Sequence, residues 1–127
     1  MVEEMCDYVN DNRDKPPIHL AAYLLWRINW IHPFDDGNGR TARAASYAIL
    51  CILLGYELPG IHTIPEHLSD DKRPYYKALE DADEAWKNKH LNVSRLEDLL
   101  NDALVKQLLQ VHEKATGRKL LKSPSRD

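Results

Sequence analysis

Apolar residues recur at three- and four-residue steps along much of the chain, which is the spacing of one helix face. The clearest example precedes Pro33, with apolar positions at Ala21, Leu24, Leu25, Ile28 and Ile31. Pro16 and Pro17 suit the first turn of a helix, and Pro33 ends a helix at His32 or earlier. The pattern therefore predicts a helix that starts near Ile18 and ends before Pro33.

A second helix is predicted over residues 38–54, with Gly55 as its end signal. Its body, residues 44–54, is apolar on almost every side, which is typical of a helix buried at the centre of a bundle. Cys51 lies in this run and is interpreted as a small core residue. Cys6 lies far from it in sequence, and the two cysteines predict neither a disulfide framework nor a metal site.

Three more helices are predicted, at residues 2–10, from near Asp71, and from Ser94 to about Gly117. Ser94 and Glu97 have the spacing of a capping box. Residues 56–70 are predicted to be irregular because prolines and a glycine interrupt them. The tryptophans stand at helical positions and are predicted to lie in the core; they are Trp26, Trp30 and Trp86.

No stretch shows the alternation expected of strands, so the fold class is predicted to be all-α. The length of 127 residues suits one domain, which we place at residues 1–117, followed by a basic flexible tail at 118–127. A composition of 43% hydrophobic and 29% charged residues is typical of a globular protein. Missing signal-peptide and membrane-span patterns favour a cytoplasmic location.

The net charge of −3 argues against nucleic acid or an anionic membrane as a partner. DNA binding has in its favour only the basic residues of the tail, which are Arg118, Lys119, Lys122 and Arg126. We therefore expect neither nucleic acid nor membrane among the partners.

The segment HPFDDGNGRTAR, residues 32–43, contains more charged, polar and glycine residues than a connection between two helices needs. Glycines at the start of a helix expose unpaired backbone amides, and the helix dipole adds partial positive charge, so the segment suits phosphate. Arg40 and Arg43 are three apart and share a helix face on which both can bind phosphate oxygens. Phe34 is the lone apolar residue of the loop and is predicted to anchor it in the core.

Two further side chains complete this chemistry. A carboxylate at Asp36 can hold a magnesium ion that also binds phosphates. His32 has a side chain whose pKa suits removal of a proton from an attacking hydroxyl. Each of these residues alone is more simply a turn or surface residue, and it is their conjunction that indicates function.

Residues 32–43 resemble the Fic signature, His-Pro-Phe-x-[Asp/Glu]-Gly-Asn-Gly-Arg-x-x-Arg, at every defined position. The helix before the motif and the run RPYYKAL at residues 73–79 are also similar to Fic domains, so the resemblance covers roughly residues 5–110. It implies a helical bundle with the motif loop between two central helices. It also implies protein adenylylation, in which AMP passes from ATP to a Ser, Thr or Tyr hydroxyl of a target protein.

The resemblance implies a role for each motif residue. His32 would be the general base, and Asp36 would hold the Mg²⁺ that bridges the α- and β-phosphates. As residues that bind the nucleotide, Gly37, Asn38 and Gly39 would form an anion nest.

The two arginines would act on the far phosphates. Arg40 would stabilise charge on the β/γ side, and Arg43 would contact the γ-phosphate or brace the loop. Related Doc-type kinases have Lys where Gly39 stands, so this loop has the adenylylating form.

Further candidates lie outside the motif. Tyr75, Tyr76 and Asp83 would help to wall the nucleotide base, although the tyrosines can equally be packing residues. His62 and His67 are interpreted as solvated or structural.

Several alternatives stay open. The donor could be another nucleotide or phosphocholine, the reaction could be removal of AMP, or the chain could be a non-catalytic binding module. A β-hairpin flap before the motif and an inhibitory helix are expected of the family but are not found in the sequence. Inhibition by a partner in trans is therefore also considered. A homodimer is considered as well, because exposed helix faces could pair.

Overall fold

The computed structural model of the chain describes residues 1–117, which form six α-helices and no strand. The helices are α1 (Val2–Asp11), α2 (Pro17–Ile31), α3 (Asn38–Leu54), α4 (Ile64–Asp70), α5 (Lys72–Lys87) and α6 (Ser94–Thr116). The all-α prediction is confirmed, and the predicted tail at 118–127 lies outside the described residues.

Helix α2 is the centre of the bundle. It packs against α1, α3, α5 and α6, and its middle turns are buried on nearly every side. Pro17 is its first residue and His32 its C-cap, as the prolines predict. Small side chains let α3 approach closely, and the hydroxyl of Ser46 on α3 donates a hydrogen bond to the carbonyl of Ala21 at 2.8 Å. The motif loop thus joins two helices that are packed tightly together.

Helix α3 has the predicted bounds and ends at Gly55, whose φ is 85°. The expectation that it is buried on all sides is wrong. It buries one stripe, whereas Ala44, Ala48 and Ile52 are exposed, the last at 70%. Ala44 and Ala48 line a surface cleft, so this apolar face borders open space instead of a neighbouring helix.

Residues 56–70 are less irregular than predicted, because they contain the short helix α4. A capping box forms its start: the Thr63 side chain and the Glu66 side chain each bond the other residue's backbone. In the sequence, Pro65 is interpreted as an interruption of regular structure. It lies in the first turn of α4, where proline is tolerated.

The capping box predicted at Ser94 and Glu97 is wrong. Helix α6 begins after Val93 without a side-chain cap. Glu97 instead accepts a hydrogen bond from Nδ1 of His19 at 2.9 Å, and Nε2 of that ring lies 2.7 Å from the hydroxyl of Tyr8. These contacts connect α1, α2 and α6. The Glu97 carboxylate therefore bonds His19 of another helix instead of capping α6.

The tryptophans are less uniformly buried than predicted. Trp26 is fully buried and Trp30 half-buried, but Trp86 is 38% exposed. The buried guanidinium of Arg27 lies 4.9 Å from the Trp86 ring centroid and 5.3 Å from that of Trp26. Trp86 therefore serves as a cover over a buried cation.

Within residues 1–117, none of the helices has the length and apolar composition that a bilayer span requires. Cys51 is half-buried and Cys6 exposed, and both thiols are free.

Candidate active site

The loop between α2 and α3 is held by the side chain of Asn38, which is 4% exposed. Its Oδ1 accepts a hydrogen bond from the Phe34 amide at 3.0 Å, and its Nδ2 donates to the Phe34 carbonyl at 2.7 Å. Phe34 itself is 53% exposed, so the prediction that its ring anchors the loop in the core is wrong. The amide side chain of the next helix anchors the loop instead.

His32 caps α2 in the left-handed conformation, with φ of 56°. Few residues other than glycine adopt this conformation, and histidine is among those that do so more often. Its Nδ1 lies 3.0 Å from the carbonyl oxygen of Asn29, and a carbonyl can only accept. In the neutral ring this contact places the proton on Nδ1 and the lone pair on Nε2, and the ring is exposed.

The first turn of α3 presents free amides. No side chain caps this helix, and its first backbone hydrogen bond runs from Thr41 to the carbonyl of Gly37. The amides of Asn38, Gly39 and Arg40 therefore precede the helical ladder and, within residues 1–117, have no hydrogen-bond acceptor. Such a helix start is suited to bind an anion.

Each glycine of this turn lies beneath an arginine. A Cβ atom on Gly37 would lie 3.2 Å from Nη2 of Arg40, and one on Gly39 would lie 3.3 Å from Nη1 of Arg43. Both arginines line a cleft of about 490 Å³ between α3 and α4. In the described part of the chain, Arg40 forms no ion pair, so its charge is available to a ligand.

The two glycines differ in their backbone requirement, which gives a stability prediction. Gly37 has φ of 76°, whereas Gly39 is helical. We expect Gly37→Ala to lower the free energy of unfolding by about 1 kcal/mol, because a side chain disfavours the left-handed region. Gly39→Ala should cause no loss, since alanine favours a helix. Urea unfolding of both variants tests this, and equal losses would contradict it.

Asp36 is exposed, and its Oδ1 accepts a hydrogen bond from the Gly37 amide at 2.7 Å. Among residues 1–117 its second carboxylate oxygen has no partner. Mg²⁺ is commonly held by one or two protein carboxylates, with phosphates and water completing its shell. A carboxylate held by one oxygen and open at the other, at the mouth of a phosphate-binding turn, fits that ion.

Tyr75 joins the two sides of the site, although the sequence suggests only wall or packing. It is 1% exposed, and its hydroxyl accepts a hydrogen bond from Nδ2 of Asn29 at 2.9 Å. Burial raises the pKa of Tyr75, so the phenol stays neutral. The guanidinium of Arg43 lies 5.9 Å from its ring centroid. Asn29 thus contacts both His32 and Tyr75, and the sequence analysis does not single it out.

The other predicted wall residues differ from Tyr75. Tyr76 is 53% exposed and stacks on Tyr75, with centroids 5.7 Å apart. Asp83 accepts a hydrogen bond from the Trp26 indole at 2.9 Å, which places its carboxylate in a structural contact. The nucleotide contacts of all three stay predictions.

A Fic/DOC family model matches residues 1–50, which include the whole motif. The chain is 56% identical over 34 residues to the protein adenylyltransferase Fic of Nematostella vectensis, a stretch that covers 27% of this chain and 8% of that protein. It is 39% identical over 67 residues to a Fido domain-containing protein of Dictyostelium discoideum, covering 53% of this chain and 42% of that protein.

A further match, 57% identical over 30 residues, is to a ribonucleoside-diphosphate reductase small chain of Ostreid herpesvirus 1; it covers 24% of this chain and 5% of that protein. The matched stretches thus span less than half the length of each of these relatives. The family-model match includes the motif loop, all of α2 and most of α3. Over residues 1–50, the chain is therefore similar to the Fic/DOC family.

Proposed function

We propose that this chain is a protein adenylyltransferase, which transfers the AMP part of ATP to a hydroxyl group of a target protein. The observation that carries the proposal is the 3.0 Å contact between Nδ1 of His32 and the carbonyl oxygen of Asn29. The Nδ1–H of His32 is committed to the Asn29 carbonyl, which leaves Nε2 as a base on an exposed ring at the motif loop. A general base must offer a lone pair within reach of the hydroxyl that it deprotonates.

The residues after His32 supply the binding of the donor. The free amides at the start of α3 and the guanidinium of Arg40 would bind the phosphates. Arg43, braced against Tyr75, would contact the γ-phosphate from the same cleft. Asp36 would hold Mg²⁺, which when bound neutralises phosphate charge and helps pyrophosphate to leave.

The reaction itself is an in-line substitution at the α-phosphorus. A bond forms between the target hydroxyl oxygen and this phosphorus, and the bond from the phosphorus to the bridging oxygen breaks. The hydroxyl proton passes to Nε2 of His32, and pyrophosphate leaves with the bonding electrons. Because little covalent chemistry falls to the protein, positioning and charge stabilisation supply most of the catalysis.

The test compares ATP labelled at the α-phosphate with ATP labelled at the γ-phosphate. We expect α-label, but not γ-label, on the chain or on proteins of a host lysate. Asp36→Asn should lower this labelling at least about tenfold, because the ion loses its protein carboxylate. Asp35→Asn is the matched control, since Asp35 is an exposed neighbour at the undefined position of the signature, and it should label like wild type.

Other outcomes point to other functions. γ-Label alone would indicate a phosphotransferase and contradict adenylylation. Retained ATP binding without either label would favour the non-catalytic module. Equal labelling by the Asp36 and Asp35 variants would exclude the assigned role of Asp36.

A further inference from the structure

Three side chains around α4 form a cluster outside the motif segment. A ring nitrogen of His62, a ring nitrogen of His67 and a carboxylate oxygen of Asp70 all lie within 4.8 Å of one another. In residues 1–117 no other three His, Cys, Asp or Glu side chains come together in this way. Two imidazoles and a carboxylate are the donor set of many zinc sites.

The ring of His62 is oriented by carboxylates on both edges. Its Nε2 lies 2.7 Å from Oδ2 of Asp70, and its Nδ1 lies 3.2 Å from Oε2 of Glu66. Metal-bound histidines generally donate their other N–H to a carboxylate or carbonyl, which fixes the tautomer and ring orientation. Glu66 is itself held by Thr63 in the capping box, so the orienting carboxylate is fixed by the fold.

His67 supplies an independent observation. Its Nε2 is buried and has no hydrogen-bond partner. A buried polar atom without a partner is costly, and a bound cation would satisfy it. The ring packs edge to face against His62 with centroids 4.2 Å apart, so the two imidazoles already lie side by side.

We propose that His62, His67 and Asp70 bind a Zn²⁺ ion, with Glu66 as the orienting partner of His62. Imidazole nitrogens favour zinc over magnesium or calcium, which prefer all-oxygen shells. Zinc ligands lie about 2.0–2.1 Å from the ion, so tetrahedral donor atoms are roughly 3.4 Å apart. The His62–Asp70 pair, which is 2.7 Å apart, must therefore open by roughly 0.7 Å, and Asp70 is exposed. Three protein ligands leave the fourth position to water.

The ion would fasten a weak element of the fold. His62 precedes α4 and Asp70 is its last residue, so a shared ion closes the whole seven-residue helix. Helices of this length have little stability of their own. His62, Glu66 and Asp70 also line the cleft that Arg40 and Arg43 share. Zinc would thus stabilise the wall of the cleft that faces the motif arginines.

The experiment titrates the tag-free chain with Co²⁺, followed by its visible d–d absorption, and then displaces Co²⁺ with Zn²⁺; calorimetry with Zn²⁺ alone gives the stoichiometry. We expect one ion per chain and an intense tetrahedral cobalt spectrum. Asp70→Asn and His67→Ala should each weaken binding at least tenfold. Glu66→Gln should weaken it by about ten- to a hundredfold, as loss of an orienting partner does.

Matched controls separate this cluster from other histidines and carboxylates. His112→Ala and Asp102→Asn alter exposed side chains on α6 and should bind like wild type. Asp36→Asn should also retain zinc, which makes the result independent of the proposed transferase activity. Asp70→Asn changes an exposed residue, so a loss of binding in this variant cannot be ascribed to failure to fold. No binding by wild type, an octahedral cobalt spectrum, or unchanged affinity in Asp70→Asn would overturn the proposal.

Discussion

His32→Ala is expected to lower the rate of adenylyl transfer by about a hundredfold or more, with ATP affinity largely unchanged. General acid–base catalysis contributes about 10²–10⁴-fold to rate, and within the proposed mechanism His32 is the one residue assigned to take the hydroxyl proton. Among residues 1–117 its ring hydrogen-bonds only the Asn29 carbonyl, and it is otherwise exposed, so its loss leaves the helix start and both arginines in place. The measurement is the single-turnover rate of α-label transfer at saturating ATP.

Two control variants separate the loss of the base from a loss of structure. His32→Asn keeps a residue that tolerates the left-handed conformation but removes the base, so it should be as inactive as His32→Ala. His90→Ala alters an exposed histidine outside the motif and should transfer at the wild-type rate. Activity in either His32 variant within a few-fold of wild type would show that another group accepts the proton.

The motif segment could be interpreted from sequence because its chemistry is contiguous. The bounds of α3, the end of α2 at the proline and the glycine-rich start of the next helix all depend on neighbours within a few residues. The same holds for α5, which starts at Lys72, close to the predicted start near Asp71. For these elements local signals sufficed, because the physical causes were local.

The bracing of the site could not be inferred, because it depends on partners far apart in the chain. Asn29 and Tyr75 are 46 residues apart and meet only after α2 and α5 pack. At Phe34 the two hydrogen bonds of Asn38 hold the loop backbone, and the ring itself is exposed. A motif identifies such residues without saying which of them holds the loop.

The error at Glu97 has the same origin. Sequence spacing suits a capping box with Ser94, but His19, which is 78 residues away, takes the carboxylate. Conversely, Thr63 and Glu66 have the same spacing and form a true capping box, which Pro65 and the neighbouring punctuation obscured. The same spacing thus forms a capping box at Thr63 but not at Ser94, where a tertiary contact takes the Glu97 carboxylate.

Gln107 also bonds partners that lie far away in the chain. Its replacement by leucine is expected to lower the free energy of unfolding by about 3 kcal/mol. The side chain is fully buried, and its Oε1 accepts a hydrogen bond from the Ile64 amide at 2.8 Å. Its Nε2 donates to the Pro59 carbonyl at 2.8 Å and to the Tyr47 hydroxyl at 2.9 Å. Leucine fills similar space but leaves the buried Ile64 amide without an acceptor, at a cost of about 1–3 kcal/mol, and loses two partly buried hydrogen bonds worth about 0.5–1.5 kcal/mol each.

The positions of these hydrogen-bond partners predict which segment Gln107→Leu should destabilise most. Ile64 starts α4, and Pro59 lies in the connection that leads to it, so Gln107 of α6 holds the far wall of the cleft against the bundle. Urea unfolding should show the loss in Gln107→Leu, and hydrogen exchange should quicken first in residues 59–70. Gln110→Leu, an exposed substitution on the same helix, is the matched control and should change stability by less than about 0.5 kcal/mol. If the two variants unfold alike, the hydrogen bonds of Gln107 contribute nothing net, and apolar packing of Ile64 and Leu68 alone must hold α4 in place.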